Sequence, residues 1–388
     1  MSRQRIYATV KDLFFLCTKG YQEQPKRASL CSMLNLGVPF AYVHNLNPFV
    51  LQLTESFGIR WYALAYLAGF YATYRIVRCL AARKLSPLSV DMAGDFVFTA
   101  ALGTIIGGRI GYCIFYSPEL LTQLTSAPPF WGLLAINRGG MASHGGIIGI
   151  MCACIYFART RHLPALHLID LAAMSGTIGV FFGRIANFIN GELVGRPAPE
   201  WLPWAVKFPQ DIYLWSNAKL SALSEIVGNL GIKAGQWRQW LEGSPFDPTA
   251  QHNIESTLSQ IIAKIQAGDL IIKSEIAPLL VARHPSQLYE AFGEGFLLFS
   301  ALFLLWRKPR KPGFISAWFL ILYAIVRIVG EQFRMPDPQI GFQIFGTTRG
   351  QLLSAAMLLA GILCLFLWNR RDSVRLGGWK GALRSAQR

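Results

Sequence analysis

The chain has 388 residues, of which 53% are hydrophobic and only 15% are charged, and its mean hydropathy is +0.35. This composition excludes an ordinary water-soluble domain and indicates a protein embedded in the lipid bilayer. The formal net charge is +16. It predicts no nucleic-acid partner, because the basic residues stand in short clusters at the ends of apolar runs, where they orient membrane helices.

The cysteines indicate neither a disulfide framework nor a metal site. Five of the seven lie inside or at the ends of apolar segments, and none forms a Cys-x-x-Cys pair. No nucleotide-binding glycine loop precedes a strand. The sequence therefore predicts no metal and no cofactor.

Seven apolar stretches follow an N-terminal segment of 46 residues that carries six basic side chains. A helix needs about 20 mainly apolar residues to cross the hydrocarbon core of a membrane. The stretches are residues 61–80, 94–116, 145–158, 168–190, 288–306, 313–333 and 351–368. We therefore predict an all-α polytopic membrane protein with seven transmembrane helices, four within residues 47–195 and three within residues 284–369.

Lysine and arginine clusters follow the first, third, fifth and seventh stretches. Because basic residues in short loops stay on the cytoplasmic side, the N-terminus is predicted outside and the basic tail, residues 370–388, inside. The basic residues of segment 1–46 then lie on the side that should lack them. We interpret this segment as an extension and hypothesise that translation starts at Met33.

Residues 196–283 form the one long polar stretch, which is rich in Trp, Pro and Gly. Two segments within it, residues 253–267 and 271–282, have amphipathic helical patterns. The stretch joins the fourth and fifth apolar stretches. It is predicted to be a small extracytoplasmic head domain.

Two arginines stand inside apolar stretches, where a charge requires a partner, a water-filled cavity or a function. Arg184 follows Asp170 by 14 residues, and Arg327 follows Gly313 by 14 residues, which is about 21 Å along either helix. If Asp170 and Gly313 mark the inner ends, both guanidinium groups lie at one depth in the outer half of the bilayer. There they could hold one phosphate.

The alternative is that each arginine pairs structurally with a carboxylate, for which Glu192 and Glu331 are the nearest candidates. Tyr323, Arg327 and Glu331 follow one another at intervals of four residues, so they share one stripe of a helix that faces protein or water.

Several other polar side chains admit two interpretations. Asn187, Asn190 and Glu192 could bind a lipid headgroup or stabilise a helix end. His144, within a glycine-rich turn, could be a base near neutral pH or a hydrogen-bonded structural residue. Tyr62 could belong to the site or to the aromatic belt of the membrane interface.

Glycines at every fourth position of the second apolar stretch allow another helix to approach closely. They are Gly103, Gly107 and Gly111. We interpret them as a packing feature.

Five motifs together resemble the prolipoprotein diacylglyceryl transferase family. They are G-G-R-I-G-Y at 107–112, H-G-G at 144–146, G-R-I-A-N-F-I-N-G-E at 183–192, H-P-S-Q-L-Y-E at 284–290 and Y-x-x-x-R-x-x-x-E at 323–331. The third motif is the family signature, the order of the motifs matches, and the resemblance covers residues 47–370.

The resemblance implies a seven-span enzyme of the bacterial inner membrane. Such an enzyme transfers diacylglyceryl from phosphatidylglycerol to the lipobox cysteine of prolipoprotein signal peptides, forms a thioether, releases glycerol 1-phosphate and needs no cofactor. It also implies that two arginines hold the lipid phosphate and that His144 lies near the reacting atoms. The arginines are Arg184 and Arg327, and the residues implied to shape the site are Tyr62, Asn187, Asn190, Glu192, Gly195, Tyr323 and Glu331.

The main alternative from another class is a transporter or channel, since charges inside a membrane also line substrate paths. Against it, the charges cluster at one depth, and no second half of the chain mirrors the first. For the transferase, the arginines rank above His144, because a thiol with a pKa near 8.5 is already a few per cent thiolate at neutral pH.

Overall fold

The computed structural model describes residues 41–52, 58–126, 128–135, 139–244, 246–336, 343 and 346–379. Met33, the hypothetical start, lies outside the described residues. The helices are α1 (Trp61–Ala82), α2 (Met92–Phe115), α3 (Ser143–Thr160), α4 (Ala165–Asn190), α5 (Asn217–Leu220), α6 (Ser224–Gly228), α7 (Ala234–Gly243), α8 (Pro248–Gln266), α9 (Leu270–Ile276), α10 (Ser286–Leu305), α11 (Phe314–Gly330) and α12 (Arg349–Asn369). The strands are β1 (Tyr42–Val43), β2 (Phe49–Gln52), β3 (Gly58–Arg60), β4 (Val206–Lys207) and β5 (Ala282–Arg283).

Each of the seven predicted apolar stretches coincides with a helix, and the bounds differ by three residues or fewer. These helices are α1 to α4 and α10 to α12. Within the described residues, α2, α4, α10 and α12 are long and apolar enough to cross a membrane, and α3 and α11 are shorter apolar helices. The prediction of a mainly helical membrane protein is confirmed at this level.

The prediction of an all-α protein omitted two small sheets. Strand β4 pairs in parallel with β1 and antiparallel with β5, while β2 and β3 form a hairpin. Strands of two residues carry too little periodicity to be recognised in a sequence. Because β1 lies in the first sheet, the described end of the predicted extension, from residue 41, is part of the fold.

The head region, residues 196–283, contains helices α5 to α9 around an apolar core of its own. The two amphipathic segments correspond to α8 and α9. Helix α9 ends at Ile276, earlier than predicted, because the chain then extends into β5. Strand β5 leads directly into the start of α10, so the small sheet connects the head region to the apolar helices.

The predicted close approach of another helix to α2 is confirmed. A side chain at Gly103 or Gly111 would lie 2.6–2.7 Å from backbone atoms of Gly149 or Gly145 on α3. Only a residue without Cβ allows two helix backbones to pack at this distance. Helix α3 is thereby fixed against α2.

Asp170 joins the N-terminal ends of α4 and α11. Its carboxylate accepts hydrogen bonds from the backbone N–H of Gly313 at 2.8 Å and of Ser316 at 2.7 Å, and from the Ser316 hydroxyl at 2.7 Å. These N–H groups lie at the start of α11, where the first backbone N–H groups of a helix have no hydrogen-bond acceptor within the helix itself. Asp170 therefore caps α11 and joins it to α4.

Candidate functional site

The two arginines inside apolar helices meet on the same pair of carboxylates. Arg184 extends from α4 and Arg327 from α11, and α10 supplies Glu290 and Glu294 between them. Since Asp170 bonds the first turn of α11 to α4, the 14-residue intervals on the two helices start at one level. This explains why both guanidinium groups reach the same place.

The contacts of Arg184 are short and use all three of its nitrogens. Nε and Nη2 donate to Oε2 of Glu294 at 3.1 and 2.8 Å, and Nη1 lies 2.9 Å from Oε2 of Glu290. Glu192, one candidate counter-ion from the sequence, forms no ion pair with Arg184 among the described residues. Its place is taken by the two glutamates of α10.

Arg327 contacts three carboxylates. Nη1 donates to Glu290 at 2.8 Å and to Glu294 at 3.0 Å, and Nη2 pairs with Glu331 one turn further along α11. Arg334 adds a contact of 3.5 Å to Glu290. We call these six residues the ion cluster: Arg184, Arg327, Arg334, Glu290, Glu294 and Glu331.

The ion cluster is almost closed to water. Glu290 and Glu294 are 1% and 0% exposed, and the side chains of Arg184 and Arg327 retain 15% and 13%. Burial of unpaired charges would cost several kcal/mol for each ion, so the reciprocal pairing is what permits these groups to be buried. The alternative that each arginine pairs structurally with a carboxylate therefore describes part of the environment of Arg184 and Arg327.

Pairing does not exhaust the two guanidinium groups. Each carries five N–H donors, and the contacts above use three on Arg184 and three on Arg327. Two N–H donors on each arginine thus have no partner within the described part of the chain. The arrangement can still donate hydrogen bonds to an anion from two helices.

A π-helical turn places Glu294. Residues Ala291–Leu297 of α10 form this turn, and Gly295 within it packs so closely on α4 that an added Cβ would lie 2.5 Å from Cβ of Phe181. A wider turn changes the direction of the side chains that follow it, and such turns often occur at functional sites. Glu294 is thereby presented to both arginines.

Tyr62 and Glu192 form a rim beside Arg184. The Tyr62 hydroxyl bonds the carboxylate of Glu192 and lies within electrostatic reach of Arg184. Asn190 donates to Glu192 at 3.4 Å. Tyr62 also stacks on Tyr66, with ring centroids 6.2 Å apart, so both roles considered for it are compatible with its position.

Asn187 and Gly195 are buried at the outer end of α4. The backbone oxygen of Asn187 accepts the N–H of Gly191, which ends the helix in a left-handed conformation with φ of 68°. A side chain at Gly195 would collide with the backbone oxygen of His284 and lie 2.9 Å from that of Phe333. Gly195 therefore permits three chain segments to meet directly beneath the ion cluster.

Tyr323 and Glu331 complete the stripe predicted on α11. The Tyr323 hydroxyl donates to Glu294 at 3.4 Å, and Glu331 accepts the hydroxyl of Thr348 at 2.7 Å. Thr348 is also the N-cap of α12, in a capping box with Gln351. Glu331 thus connects Arg327 to the start of the last apolar helix.

His144 lies in the first turn of α3 and is exposed. No hydrogen bond or ion pair joins it to the ion cluster among the described residues. Its site role stays a prediction.

An apolar groove of about 540 Å³ opens beside the ion cluster between α10 and α11. Its lining includes Gly293, Val326 and Val329, together with His284, Tyr289 and Trp204. The indole N–H of Trp204 donates to the Tyr289 hydroxyl at 2.7 Å. Burial lowers the pKa of His284 from its usual 6.5, which favours a neutral ring next to the groove.

Sequence reasoning missed the two glutamates that hold the arginines. Glu290 was included in a motif interpreted as the start of a helix, and Glu294 was not singled out. A carboxylate inside an apolar stretch is the same signal that identified Arg184 and Arg327. Applied to every charge in the seven stretches, it would have found Glu294.

Among the described residues, no group of three or more His, Cys, Asp or Glu side chains could hold a metal ion. The ion cluster itself pairs its carboxylates with arginines.

Comparison with known proteins supplies the family. Residues 48–367 match the model of a family described as prolipoprotein diacylglyceryl transferase. A phosphatidylglycerol-prolipoprotein diacylglyceryl transferase of Bdellovibrio bacteriovorus is 52% identical over 87% of this chain and 97% of its own length. Proteins of the same name from Rhodospirillum rubrum and Azospirillum brasilense are 37% and 39% identical, over 86% and 81% of this chain and 96% and 92% of their own.

Proposed function

Because the chain belongs to the prolipoprotein diacylglyceryl transferase family, we propose that it transfers the diacylglyceryl group of phosphatidylglycerol to the lipobox cysteine thiol of prolipoproteins. The products are a thioether-linked lipoprotein precursor and glycerol 1-phosphate. This is the first step of bacterial lipoprotein maturation. The observation that carries the proposal is the convergence of Arg184 and Arg327 on one buried point with N–H donors to spare.

The reaction requires stabilisation of a leaving phosphate. The thiol sulfur attacks the glycerol carbon that carries the phosphate ester, a C–S bond forms, and the C–O bond breaks with its electron pair passing to the phosphate oxygen. Charge therefore grows on the phosphate, and the thiol proton passes to a base or to water. Two guanidinium groups in a site shielded from water stabilise that charge far better than exposed ones.

Arg184 and Arg327 require different partners before and during the reaction. Without lipid, Glu290 and Glu294 balance their charge and hold them in place. With lipid, the N–H groups that these carboxylates leave unused take the phosphate oxygens. Preorganised donors of this kind lose little free energy in rearrangement when charge develops.

The other predicted site residues surround this clamp. We propose that Tyr62, Asn190 and Glu192 contact the glycerol headgroup from the rim. Asn187, Gly195, Tyr323 and Glu331 are proposed to shape the wall, and His144 to accept the thiol proton. A metal or organic cofactor is not needed, because the phosphodiester of the donor lipid already provides the leaving group.

The same proposal includes the location of the enzyme. We infer that α1 to α4 and α10 to α12 span the bacterial inner membrane seven times, with the N-terminus outside, the C-terminus inside and the head region extracytoplasmic. The apolar length of four of these helices supports the inference, as does the basic residue pattern. Lipid and the signal peptide then reach the site from within the bilayer.

The test is transfer in vitro with purified protein in lipid nanodiscs and a fluorescent lipobox peptide. Thioether product should form with phosphatidylglycerol and not with phosphatidylethanolamine. Arg184→Gln and Arg327→Gln should each lower kcat by about 10²–10³ and leave the protein folded. The matched control is Arg75→Gln, because Arg75 lies on α1 and, within the described part of the chain, its side chain bonds only Tyr71 on its own helix.

Near-normal transfer by both variants would contradict the phosphate clamp. Movement of phosphatidylglycerol between leaflets without thioether formation would instead support the transporter. These outcomes separate the site assignment from the reaction assignment.

A further inference from the structure

Arg109 is a buried arginine on α2 that the proposed chemistry does not use. It is 4% exposed, and its hydrogen bonds to described residues go to backbone oxygens of the loop between α2 and α3. Nε donates to Leu133 at 2.8 Å, Nη2 to Gly132 at 2.6 Å, and Nη1 to Gly139 at 2.6 Å and Gly140 at 3.0 Å.

These bonds use four of the five N–H donors of the guanidinium group. The acceptors lie 23 to 31 residues away in the chain, so Arg109 gathers two distant parts of the loop onto α2. The planar fork of a guanidinium group suits this task, and an ammonium group with three donors cannot reproduce it. With one donor left, Arg109 cannot give a phosphate the bidentate contact that is proposed for the other two buried arginines.

The segment that Arg109 holds leads directly into His144. Gly140 has φ of +81°, and a side chain there would lie 2.5 Å from the ring of Tyr112. Two residues later, the N–H of Ala142 donates to the backbone oxygen of Gly108 at 2.9 Å. Helix α3 then starts at Ser143, so His144 is the second residue of a helix whose approach is fixed by α2.

We propose that Arg109 is a positioning residue for His144 in the transfer reaction. It acts by fixing residues 139–142, which set where α3 begins. The inference rests on the proposed function, because it takes His144 to act on the thiol. A displacement of about 1 Å in a group that must meet a reacting atom can cost up to about 10²-fold in rate.

The experiment is a double-mutant cycle of Arg109→Lys and His144→Ala in the nanodisc assay. Arg109→Lys keeps the charge and loses the fork. We expect kcat to fall about tenfold or more, with KM for phosphatidylglycerol unchanged. In the His144→Ala background, the same substitution should change kcat by less than about twofold, because coupled groups give non-additive losses.

Wild-type kcat in Arg109→Lys, a raised KM for the lipid with unchanged kcat, or full additivity with His144→Ala would overturn the inference. If His144→Ala has no measurable activity, the separation of kcat from KM in Arg109→Lys decides. Gly140→Ala perturbs the same segment without touching the guanidinium group and should reproduce the kcat loss. It provides a second variant if Arg109→Lys does not fold.

Arg161→Lys is the control, since Arg161 is exposed and its one ion pair among the described residues is with Asp95 at 3.4 Å. It should behave like the wild type. Failure of the wild-type protein to form any thioether would remove the proposed function itself. Transfer by the wild type with additive variants would remove only the role of Arg109.

Discussion

The ion cluster and the core of the head region are both closed to water but are held together by opposite means. In the head core, Trp237, Leu258 and Ile261 are 0–3% exposed and pack against other apolar side chains. Such burial is favourable by itself. In the ion cluster six charged side chains are brought together at a desolvation cost that their pairing only repays in part. Apolar packing thus stabilises the head core by itself, whereas the buried charges need another reason to be retained, and the anion binding proposed for Arg184 and Arg327 supplies one.

Removal of one carboxylate from the ion cluster should have the largest effect on this contrast. Glu294→Gln keeps the shape of the side chain and removes one of the two carboxylate charges that Arg184 and Arg327 share. We expect a loss of about 3–5 kcal/mol in the free energy of unfolding and a kcat lowered at least about tenfold. Thermal unfolding and transfer would be measured on the same preparation.

Asp95→Asn is the control for that variant, because the Asp95–Arg161 pair is exposed and should contribute about 0–1 kcal/mol. If Glu294→Gln matched this control in both measurements, the ion cluster would be an ordinary surface network. The contrast with the head core would then disappear.

A truncation in the head core should separate stability from activity. Leu258→Ala removes a side chain that is 3% exposed, and a change of this kind costs about 2–5 kcal/mol. The kcat of the folded fraction should equal that of the wild type. Ile271→Ala, at a residue that is 66% exposed, is the matched control. A kcat loss in Leu258→Ala at a temperature where the protein is folded would mean that the head core also shapes the site.

A smaller effect concerns pH at the junction between the head region and α4. His44 is 1% exposed, its ring lies 5.4 Å from that of Phe188 and 5.3 Å from that of Phe208, and burial lowers its pKa to about 4. The unfolded chain, with a pKa near 6.5, binds the proton more readily. Stability from neutral His44 is therefore complete above about pH 6.5 and decreases as the pH falls towards 4, by about 2 kcal/mol at pH 5.

Thermal unfolding at pH 7.5 and 5.0 would measure this dependence. His44→Phe keeps a ring at the site and removes the titrating group, so its stability should vary less over the same interval. An equal decrease in variant and wild type would assign the pH dependence to other groups.

Much of the architecture could be predicted because long apolar helices are directly recognisable as apolar runs in the sequence. Length and hydropathy gave the bounds of seven helices within three residues, and counting from Asp170 and Gly313 put Arg184 and Arg327 at one level. The two-residue strands could not be found, because their pairing depends on segments more than 70 residues apart in the chain.

The prediction of Glu331 as a counter-ion is confirmed, since it pairs with Arg327, but the partners of Arg184 could not be derived from the sequence. Glu192 is the nearest carboxylate to Arg184 in sequence, but it follows the end of α4 and is not on the helix that carries the partners. The true partners lie 106 and 110 residues away on α10, and only the packing of α10 between α4 and α11 brings them there. Proximity in sequence favoured a pair of Arg184 with Glu192, whereas tertiary packing pairs Arg184 with the two glutamates of α10.

The hydrogen bonds between Asp170 and the first turn of α11 align the starts of α4 and α11, so positions along both helices can be counted from the same level. On each helix the arginine follows this level by 14 residues. The alignment of Arg184 and Arg327 is therefore determined by the number of residues in each helix and not by contacts between the two side chains. One inserted residue between Gly313 and Arg327 would raise that arginine by about 1.5 Å and turn it by about 100°. The same insertion before residue 313 would leave the count unchanged. The hydrogen-bonded N-terminal ends of α4 and α11 therefore set the relative position of two guanidinium groups about 21 Å away.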